Sequence, residues 1–206
     1  MDQKAMYKLS YGLYILTTNA NGKDNGCIIN TAIQAASDPN TLSICVNKAN
    51  YTHDLILESG RYAVSSISEE GTFDLFQRFG FQTGRTVDKF DGFDALEHTP
   101  GGIYYVTQGT NAFFEAEVFQ TVDLGSHTMF LAKPTAMEIL TDVPSTTYDY
   151  YQNHIKPKPQ APAAPAGKVI WRCTICGYEY EGEELPADFI CPLCKHPASD
   201  FEKVII

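Results

Sequence analysis

The chain has 206 residues, of which 44% are hydrophobic and 19% are charged, a composition that allows a globular protein with a sizeable core. Its formal net charge of -10 argues against nucleic acid as the main partner, because phosphate binding needs clustered lysines and arginines. No apolar run approaches the ~18 residues that a membrane helix needs, and the N-terminus lacks the apolar segment of a secretory signal, so we expect a cytoplasmic protein.

The first 155 residues are predicted to form mainly β-strands. The strands are rich in β-branched and aromatic residues, and we place them at 11–18, 26–35, 42–47, 62–67, 103–107, 113–122 and 129–139. Two short helices are predicted at 52–59 and 72–79, and each is followed by a glycine that can end it. Many strands with few helices favour a closed barrel.

A proline-rich segment divides the sequence. It spans 156–167 and has four prolines in twelve residues, which cannot lie inside a helix or a central strand. Such a composition forms an extended, semi-stiff spacer. The sequence therefore predicts an N-terminal domain at 1–155, a linker at 156–167 and a small C-terminal domain at 168–206.

The C-terminal domain contains two Cys-x-x-Cys pairs. Cys173 and Cys176 form the first, and Cys191 and Cys194 follow after a gap of fourteen residues. In a reducing compartment, four cysteines so spaced indicate a metal site, and tetrahedral sulfur coordination suits zinc or iron. Gly177 directly after the first pair tolerates a left-handed backbone, which lets amide N–H groups approach the sulfur atoms.

The C-terminal stretch 171–204 resembles rubredoxin along its whole length. The shared features are Trp171, the Gly177-Tyr178 step, the Leu-Pro-Ala-Asp-Phe run at 185–189, the Cys-Pro-Leu-Cys pair and the segment 200–204. The gap between the cysteine pairs is shorter than in free-standing rubredoxins, and Lys195 replaces a usual glycine, so the pattern is closer to the rubredoxin domain of rubrerythrins. The resemblance implies one iron ion that passes single electrons. A structural zinc ion is the alternative.

The N-terminal domain has no Gly-x-Gly-x-x-Gly and no phosphate-binding P-loop motif, so a dinucleotide-binding Rossmann fold has no support. Segments 27–39, 42–56, 79–90, 125–128 and 147–151, in that order and spacing, resemble the flavin reductase-like, FMN-binding split-barrel family. With its C-terminal domain included, the whole chain resembles fusions of this family to a rubredoxin, which occur in anaerobic bacteria. The expected fold is therefore a mainly β protein, a split β-barrel with a few short helices joined to a small rubredoxin-like metal-knuckle domain.

The resemblance implies a homodimer with one FMN per subunit near the interface. Polar donors at two strand ends and a helix start are candidates for the flavin phosphate, namely Asn30, Thr31, Asn47, Lys48, Asn50 and Thr52. Lys89, and as a weaker candidate Arg85, would add positive charge. The backbone of Gln34 and Ala35 would face the isoalloxazine edge, and Tyr51 would pack beside it. The alternative for Asn50 and Thr52 is a role as helix caps.

His127 is the candidate catalytic residue. In the family, a Gly-Asp-His motif lies near the nicotinamide, and here the corresponding residues are Gly125-Ser126-His127. Ser126 replaces the acidic residue, so a carboxylate–imidazole pair is not expected, and a structural strand-end histidine is the alternative. Cys27 and Cys45 lie in apolar strands, and we expect both to be buried, inert thiols.

The sequence thus favours an electron-transfer oxidoreductase. NADH or NADPH would reduce FMN, the iron would take electrons singly, and a partner protein would receive them. The resemblance points to a flavodiiron oxygen or nitric oxide reductase as that partner. Two alternatives remain: a flavin reductase that supplies free reduced flavin beside a zinc-bound docking module, and a protein that only stores flavin.

Overall fold

The computed structural model describes residues 2–157 and 169–205. The chain divides into two compact units, Met1–Lys156 and Pro157–Ile206, which are described separately below. The predicted linker at 156–167 lies outside the described residues except for its first two positions.

The described part of the N-terminal unit is built mainly from β-strands. They are β1 (Tyr14–Ala20), β2 (Lys23–Ile29), β3 (Ile33–Ser37), β4 (Asn40–Asn47), β5 (Arg61–Ile67), β6 (Leu96–His98), β7 (Tyr104–Val106), β8 (Thr110–Asp123) and β9 (His127–Ile139). Seven of them form one sheet in the order β2-β1-β5-β8-β9-β4-β3, and β6 pairs with β7. All neighbouring strands in the described large sheet pair in antiparallel orientation.

One strand prediction was wrong. The run 26–35, predicted as a single strand, is two strands, because β2 ends at Ile29 and β3 begins at Ile33. The first pairs with β1 and the second with β4, so these two edge strands are joined by the short crossing at 30–32. Its residues are compatible with a strand, and only the different partners of the two halves require the break.

The large sheet curls around one apolar core. Buried side chains from β1, β4, β5 and β9 meet in a single cluster, which includes Leu16, Ile44, Tyr62, Val64 and Phe130. Strands that are far apart in the sheet order can share a core only if the sheet bends back on itself. The expected mainly β, barrel-like architecture is therefore confirmed.

Two α-helices cover the strands, close to their predicted positions. α1 spans Tyr51–Ser59 and α2 spans Phe73–Gly80. Gly60 ends α1 with a left-handed φ of 69°, and its N–H donates to Ile56 O at 2.9 Å. Short helical turns also occur at Gln3–Lys8, Tyr148–Tyr150 and Tyr151–Ile155. Among these described helices, none has the length and apolar character needed to cross a membrane.

The C-terminal unit is a small three-stranded sheet with a metal-knuckle arrangement. Its strands are β10 (Val169–Cys173), β11 (Glu179–Glu181) and β12 (Phe201–Ile205), in the order β11-β10-β12. The core is largely aromatic, and the rings of Phe189 and Phe201 meet edge to face at 5.3 Å. A domain of this size buries too little apolar surface to fold on that basis alone, so the cysteine cluster is expected to contribute to its stability.

The barrel core supplies a matched test on α1. Ile56 is fully buried in the barrel cluster, while the adjacent Leu57 is 55% exposed. We expect Ile56→Ala to lower the free energy of unfolding by about 2–5 kcal/mol because it leaves a cavity. Leu57→Ala should change it by no more than about 0.5 kcal/mol. Urea unfolding followed by far-UV circular dichroism measures both, and equal effects would contradict the assignment of the core.

Candidate functional site: a four-cysteine centre and an outward polar face

Four cysteine sulfur atoms converge in the C-terminal unit. The Sγ atoms of Cys173, Cys176, Cys191 and Cys194 all lie within 4.8 Å of one another. Cys173 and Cys194 are 3.6 Å apart, and Cys176 and Cys191 are 3.4 Å apart. Separations of this size are those of four sulfur atoms around one tetrahedral ion with metal–sulfur bonds of about 2.3 Å.

The two cysteine pairs adopt the same backbone conformation. In the first, Cys173 N donates to Tyr178 O at 2.8 Å, and Gly177 N donates to Cys173 O at 2.9 Å. In the second, Cys191 N donates to His196 O at 2.8 Å, and Lys195 N donates to Cys191 O at 2.9 Å. The two knuckles are therefore local copies of each other.

Each knuckle contains a residue with left-handed backbone. Gly177 has φ of 77°, and Lys195 occupies the equivalent position with φ of 63°. Lysine adopts this conformation at a cost that glycine avoids. The knuckle imposes this conformation on either residue, which explains why a glycine is usual where this chain has Lys195.

Backbone N–H groups stabilise negative charge on the sulfur atoms. Burial works to raise the pKa of Cys191, but donation from the backbone N–H groups of Cys194 and Leu193 holds that pKa below its usual value. Burial raises the pKa of Cys176 to about 11, against a lowering contribution from the N–H of Tyr178. Four neighbouring thiolates therefore require a cation, and metal binding must displace protons.

In the N-terminal unit, strand pairing brings several predicted residues onto one outward face. β4 pairs with β9 so that Asn47 lies opposite His127 and Cys45 opposite Met129. Because side chains alternate along a strand, Cys45 and Asn47 point away from the buried Ile44. The prediction that Cys45 is buried was wrong, since this thiol is only partly buried, whereas Cys27 is buried as expected.

The start of α1 adjoins this face and is suited to an anion. Asn50 is the N-cap residue, but its side chain makes no capping hydrogen bond, and Tyr51 begins the helix. Backbone N–H groups at the start of a helix carry partial positive charge and bind phosphate when they have no other partner. Thr52 is buried and its hydroxyl accepts from Asn25 Nδ2 at 2.9 Å, so it helps to hold the helix start in place.

A backbone hydrogen bond and an ion pair connect the turn that precedes His127 to the loop before α1. Lys48 N donates to Ser126 O at 3.0 Å, and Lys48 Nζ lies 2.7 Å from Asp123 Oδ1. The Asp123 carboxylate also accepts from Gly125 N at 2.7 Å. Lys48 and its neighbouring carboxylate therefore hold the β8–β9 turn, although the sequence had suggested no role for Asp123.

His127 has a hydroxyl partner. Its Nδ1 is hydrogen-bonded to Ser126 Oγ at 2.9 Å, in the position where the family has a carboxylate. The other nearby histidine, His53, is buried and hydrogen-bonds Thr128 Oγ1 through Nε2 at 2.9 Å. On this face, the Nε2 atom of His127 is therefore the imidazole nitrogen that is placed to contact a ligand.

Other candidates occupy different surroundings. Thr31 Oγ1 donates to Cys45 O at 2.8 Å, which places the Asn30–Thr31 segment beside β4. Gln34 and Ala35 lie in the exposed edge strand β3. Lys89 is 2% exposed, and its Nζ donates to Gly26 O at 2.8 Å and Phe79 O at 3.0 Å. In this structure its ammonium group therefore binds buried backbone carbonyl groups.

Comparison with known proteins assigns both units. Residues 6–158 match the "Flavin reductase like domain" family, and residues 171–202 match the "Rubrerythrin, rubredoxin-like domain" family. The chain belongs to the flavin reductase-like family and carries a C-terminal rubredoxin-like domain. The match to the rubrerythrin type agrees with the short gap between the cysteine pairs.

Related proteins match either the whole chain or a large part of it. A high molecular weight rubredoxin of Moorella thermoacetica is 34% identical over 99% of this chain and 100% of that protein. A ferric-chelate reductase (NAD(P)H) of Archaeoglobus fulgidus is 40% identical over 79% of this chain and 94% of its own. A flavoredoxin from Methanosarcina acetivorans superposes with a TM-score of 0.57 at 21% identity, over 63% of this chain and 68% of its own. At this level of identity the likeness supports the fold alone.

These matches imply FMN for the N-terminal unit and one iron ion for the four cysteines, and the residues present fit both. Four sulfur atoms at tetrahedral separations form a donor set for a soft metal ion. The uncapped start of α1, with Lys48 and Asn50 beside it, fits a phosphate. The chain is thus an oxidoreductase of the flavin reductase class with a rubredoxin-like metal centre.

The two cofactor sites can be tested separately. We expect Cys176→Ser to abolish the red ferric tetrathiolate absorption and to leave FMN bound, because the four sulfur atoms lie within one compact unit. Cys45→Ser is the matched control, since Cys45 lies outside the cluster, and it should keep the red colour. Visible absorption spectra of the purified proteins measure both, and loss of flavin from Cys176→Ser would contradict independent sites.

Proposed function

We propose that the protein is an electron-transfer oxidoreductase that takes electrons from NADH or NADPH and delivers them, through the iron centre, to a partner protein. The electrons enter at the flavin face, which we define as the outward surface that includes Asn47, Lys48, His127 and the start of α1. The observation that carries the proposal is the presence, in one chain, of a flavin reductase-like unit and a four-sulfur cluster. When bound, FMN can accept a hydride, which carries two electrons, and can release those electrons one at a time. An iron ion in the four-cysteine site can take up one electron.

The residues of the flavin face have binding and orienting roles in this proposal. Asn30, Thr31, Asn47, Asn50 and the start of α1 surround the flavin phosphate. Lys48 contributes charge and, through its bonds to Ser126 and Asp123, also holds the turn that carries His127. His127 would orient the nicotinamide. The chain would need to supply no general acid or base, because the cofactors would themselves supply the hydride chemistry.

Lys89 has a narrower role in this proposal than the sequence suggested. Its two hydrogen bonds to backbone carbonyls join β2 to the end of α2. A buried ammonium group with such partners stabilises the fold around the site. We therefore propose that Lys89 stabilises the structure behind the flavin face, and that Gln34 and Ala35 lie at the exposed edge of that face.

We propose a homodimer as the functional state. β3 is an edge strand that is exposed along its whole length, and Ile33 on it is 63% exposed. Met137 and Ile139 on β9 are 53% and 76% exposed. Unpaired edge strands and exposed large apolar side chains are features that protein interfaces cover.

A flavodiiron oxygen or nitric oxide reductase is the proposed acceptor, as in the fusions that the chain resembles. The sequence from 168 to 206 has four positive and seven negative residues, a net charge of -3. Such a surface suits a partner with a basic docking face. We place this exchange in the cytoplasm, where thiolate metal centres are stable against disulfide formation.

Metal analysis tests the proposal. Protein from its native source should contain about one iron and one FMN per chain, and anaerobic addition of NADH or NADPH should bleach first the flavin and then the iron absorption. Stoichiometric zinc would favour the alternative, a flavin reductase that releases reduced flavin beside a structural zinc module. Zinc in overproduced protein would not, because thiolate sites take up the metal that is available.

The proline-rich segment predicts a second result. Cutting the chain there should leave flavin reduction unchanged and make iron reduction depend on protein concentration. A tether of this length holds two units at roughly millimolar mutual concentration, whereas separate units meet only at their bulk concentrations. Anaerobic stopped-flow measurement should compare the intact chain with a mixture of residues 1–158 and 166–206. Equal, concentration-independent rates in both samples would exclude tethering as the role of the segment.

A further inference from the structure

A cleft of about 550 Å³ opens beside the residues assigned to the flavin. Its walls come from the β1–β2 turn with the start of β2, from the loop that follows α2, and from Tyr104 on β7. The volume lies within the range of small-molecule sites in proteins. The flavin contacts proposed above include none of these walls, and Arg85, the weaker sequence candidate for flavin charge, is paired with Asp54. The cleft is therefore available for a second ligand.

Two cations mark the boundary between this cleft and the flavin face. Lys23 Nζ and Arg85 Cζ each lie 4.9 Å from the centre of the Tyr51 ring, and both residues line the cleft. Arg85 Nη2 also lies 2.6 Å from Asp54 Oδ2 on α1. The positive charge is therefore placed at the flavin side of the cleft, where Tyr51 begins the helix.

Three carboxylates line the same cleft, from Asp24, Asp88 and Asp91. Together with the two cations, they give the lining a formal charge of -1. Aromatic surface is also present, because the rings of Phe90 and Tyr104 lie 5.2 Å apart at 30°. The cleft therefore combines an aromatic wall, a cationic boundary and acidic side chains.

We infer that this cleft holds the adenosine half of the nicotinamide donor, and that its carboxylates select NADH over NADPH. The inference rests on the proposed function. Lys23 and Arg85 face the diphosphate at the flavin side, the aromatic wall takes the adenine, and the carboxylates accept hydrogen bonds from ribose hydroxyls. A 2′-phosphate would instead bring further negative charge beside three carboxylates, which disfavours NADPH.

Asp88 allows a test that removes charge and little else. Its Oδ1 accepts from Phe90 N at 2.9 Å, and the amide oxygen of asparagine can accept the same bond. Asp88→Asn therefore keeps the turn while it removes one carboxylate from the cleft. Asp94→Asn is the matched control, because Asp94 lies a few residues further along the same loop and is not part of the cleft lining.

The measurement is kcat/KM for reduction of bound FMN by NADH and by NADPH, in the full-length, FMN-loaded protein under anaerobic conditions. We expect the unaltered protein to favour NADH by more than about tenfold, and Asp88→Asn to reduce that ratio about fivefold, mainly through a lower KM for NADPH. Asp94→Asn should leave the ratio unchanged. Added salt should also reduce the ratio, because it screens the repulsion between carboxylate and phosphate.

Lys23→Gln gives an independent readout. It should raise KM for both donors to a similar extent and leave their ratio unchanged, because both donors carry the diphosphate. Equal use of NADH and NADPH by the unaltered protein, or an unchanged ratio in both Asp88→Asn and the double variant with Asp91→Asn, would overturn the inference. If neither donor reduces the flavin, the proposed function itself fails, and the inference fails with it.

Discussion

The antiparallel pairing of β4 with β9 is the contact on which the proposed flavin face depends. It places Asn47 opposite His127, and it brings the β8–β9 turn against the loop that leads into α1. Inward side chains of the same two strands, such as Ile44 and Phe130, are fully buried in the barrel core. A one-residue slip in this pairing would exchange the inward and outward sets, so burial of the core also fixes which side chains point outward.

The stability of the C-terminal unit depends on a different interaction. Its core is small and largely aromatic, so cysteine coordination has to supply part of its stability. The two knuckles repeat one hydrogen-bond pattern, and this repetition brings four sulfur atoms together with backbone N–H groups directed at them. The same geometry that binds the metal therefore also helps to set its electronic environment.

Burial separates residues that look alike in the sequence. Lys48 and Lys89 were both candidates for a flavin phosphate, yet Lys48 lies at the surface of the flavin face and Lys89 is enclosed between β2 and α2. Cys27 and Cys45 lie in similar apolar strands, but alternation directs one into the core and the other toward the outward face. Composition alone contains no signal for these differences, because they depend on which neighbouring elements cover each strand.

The amino-acid sequence by itself determined the mainly β class of the N-terminal unit, the positions of α1 and α2, and the four metal-binding cysteines. These features follow from local periodicity, helix-ending glycines and short spacings, which act over a few residues. Tertiary structure alone decided the break between β2 and β3, the inward position of Lys89, the Lys48–Asp123 pair and the cleft beside Tyr51. Each of these features joins segments that are far apart in the chain. The periodicity of a strand indicates which of its side chains share a face, but it does not indicate which strands pair.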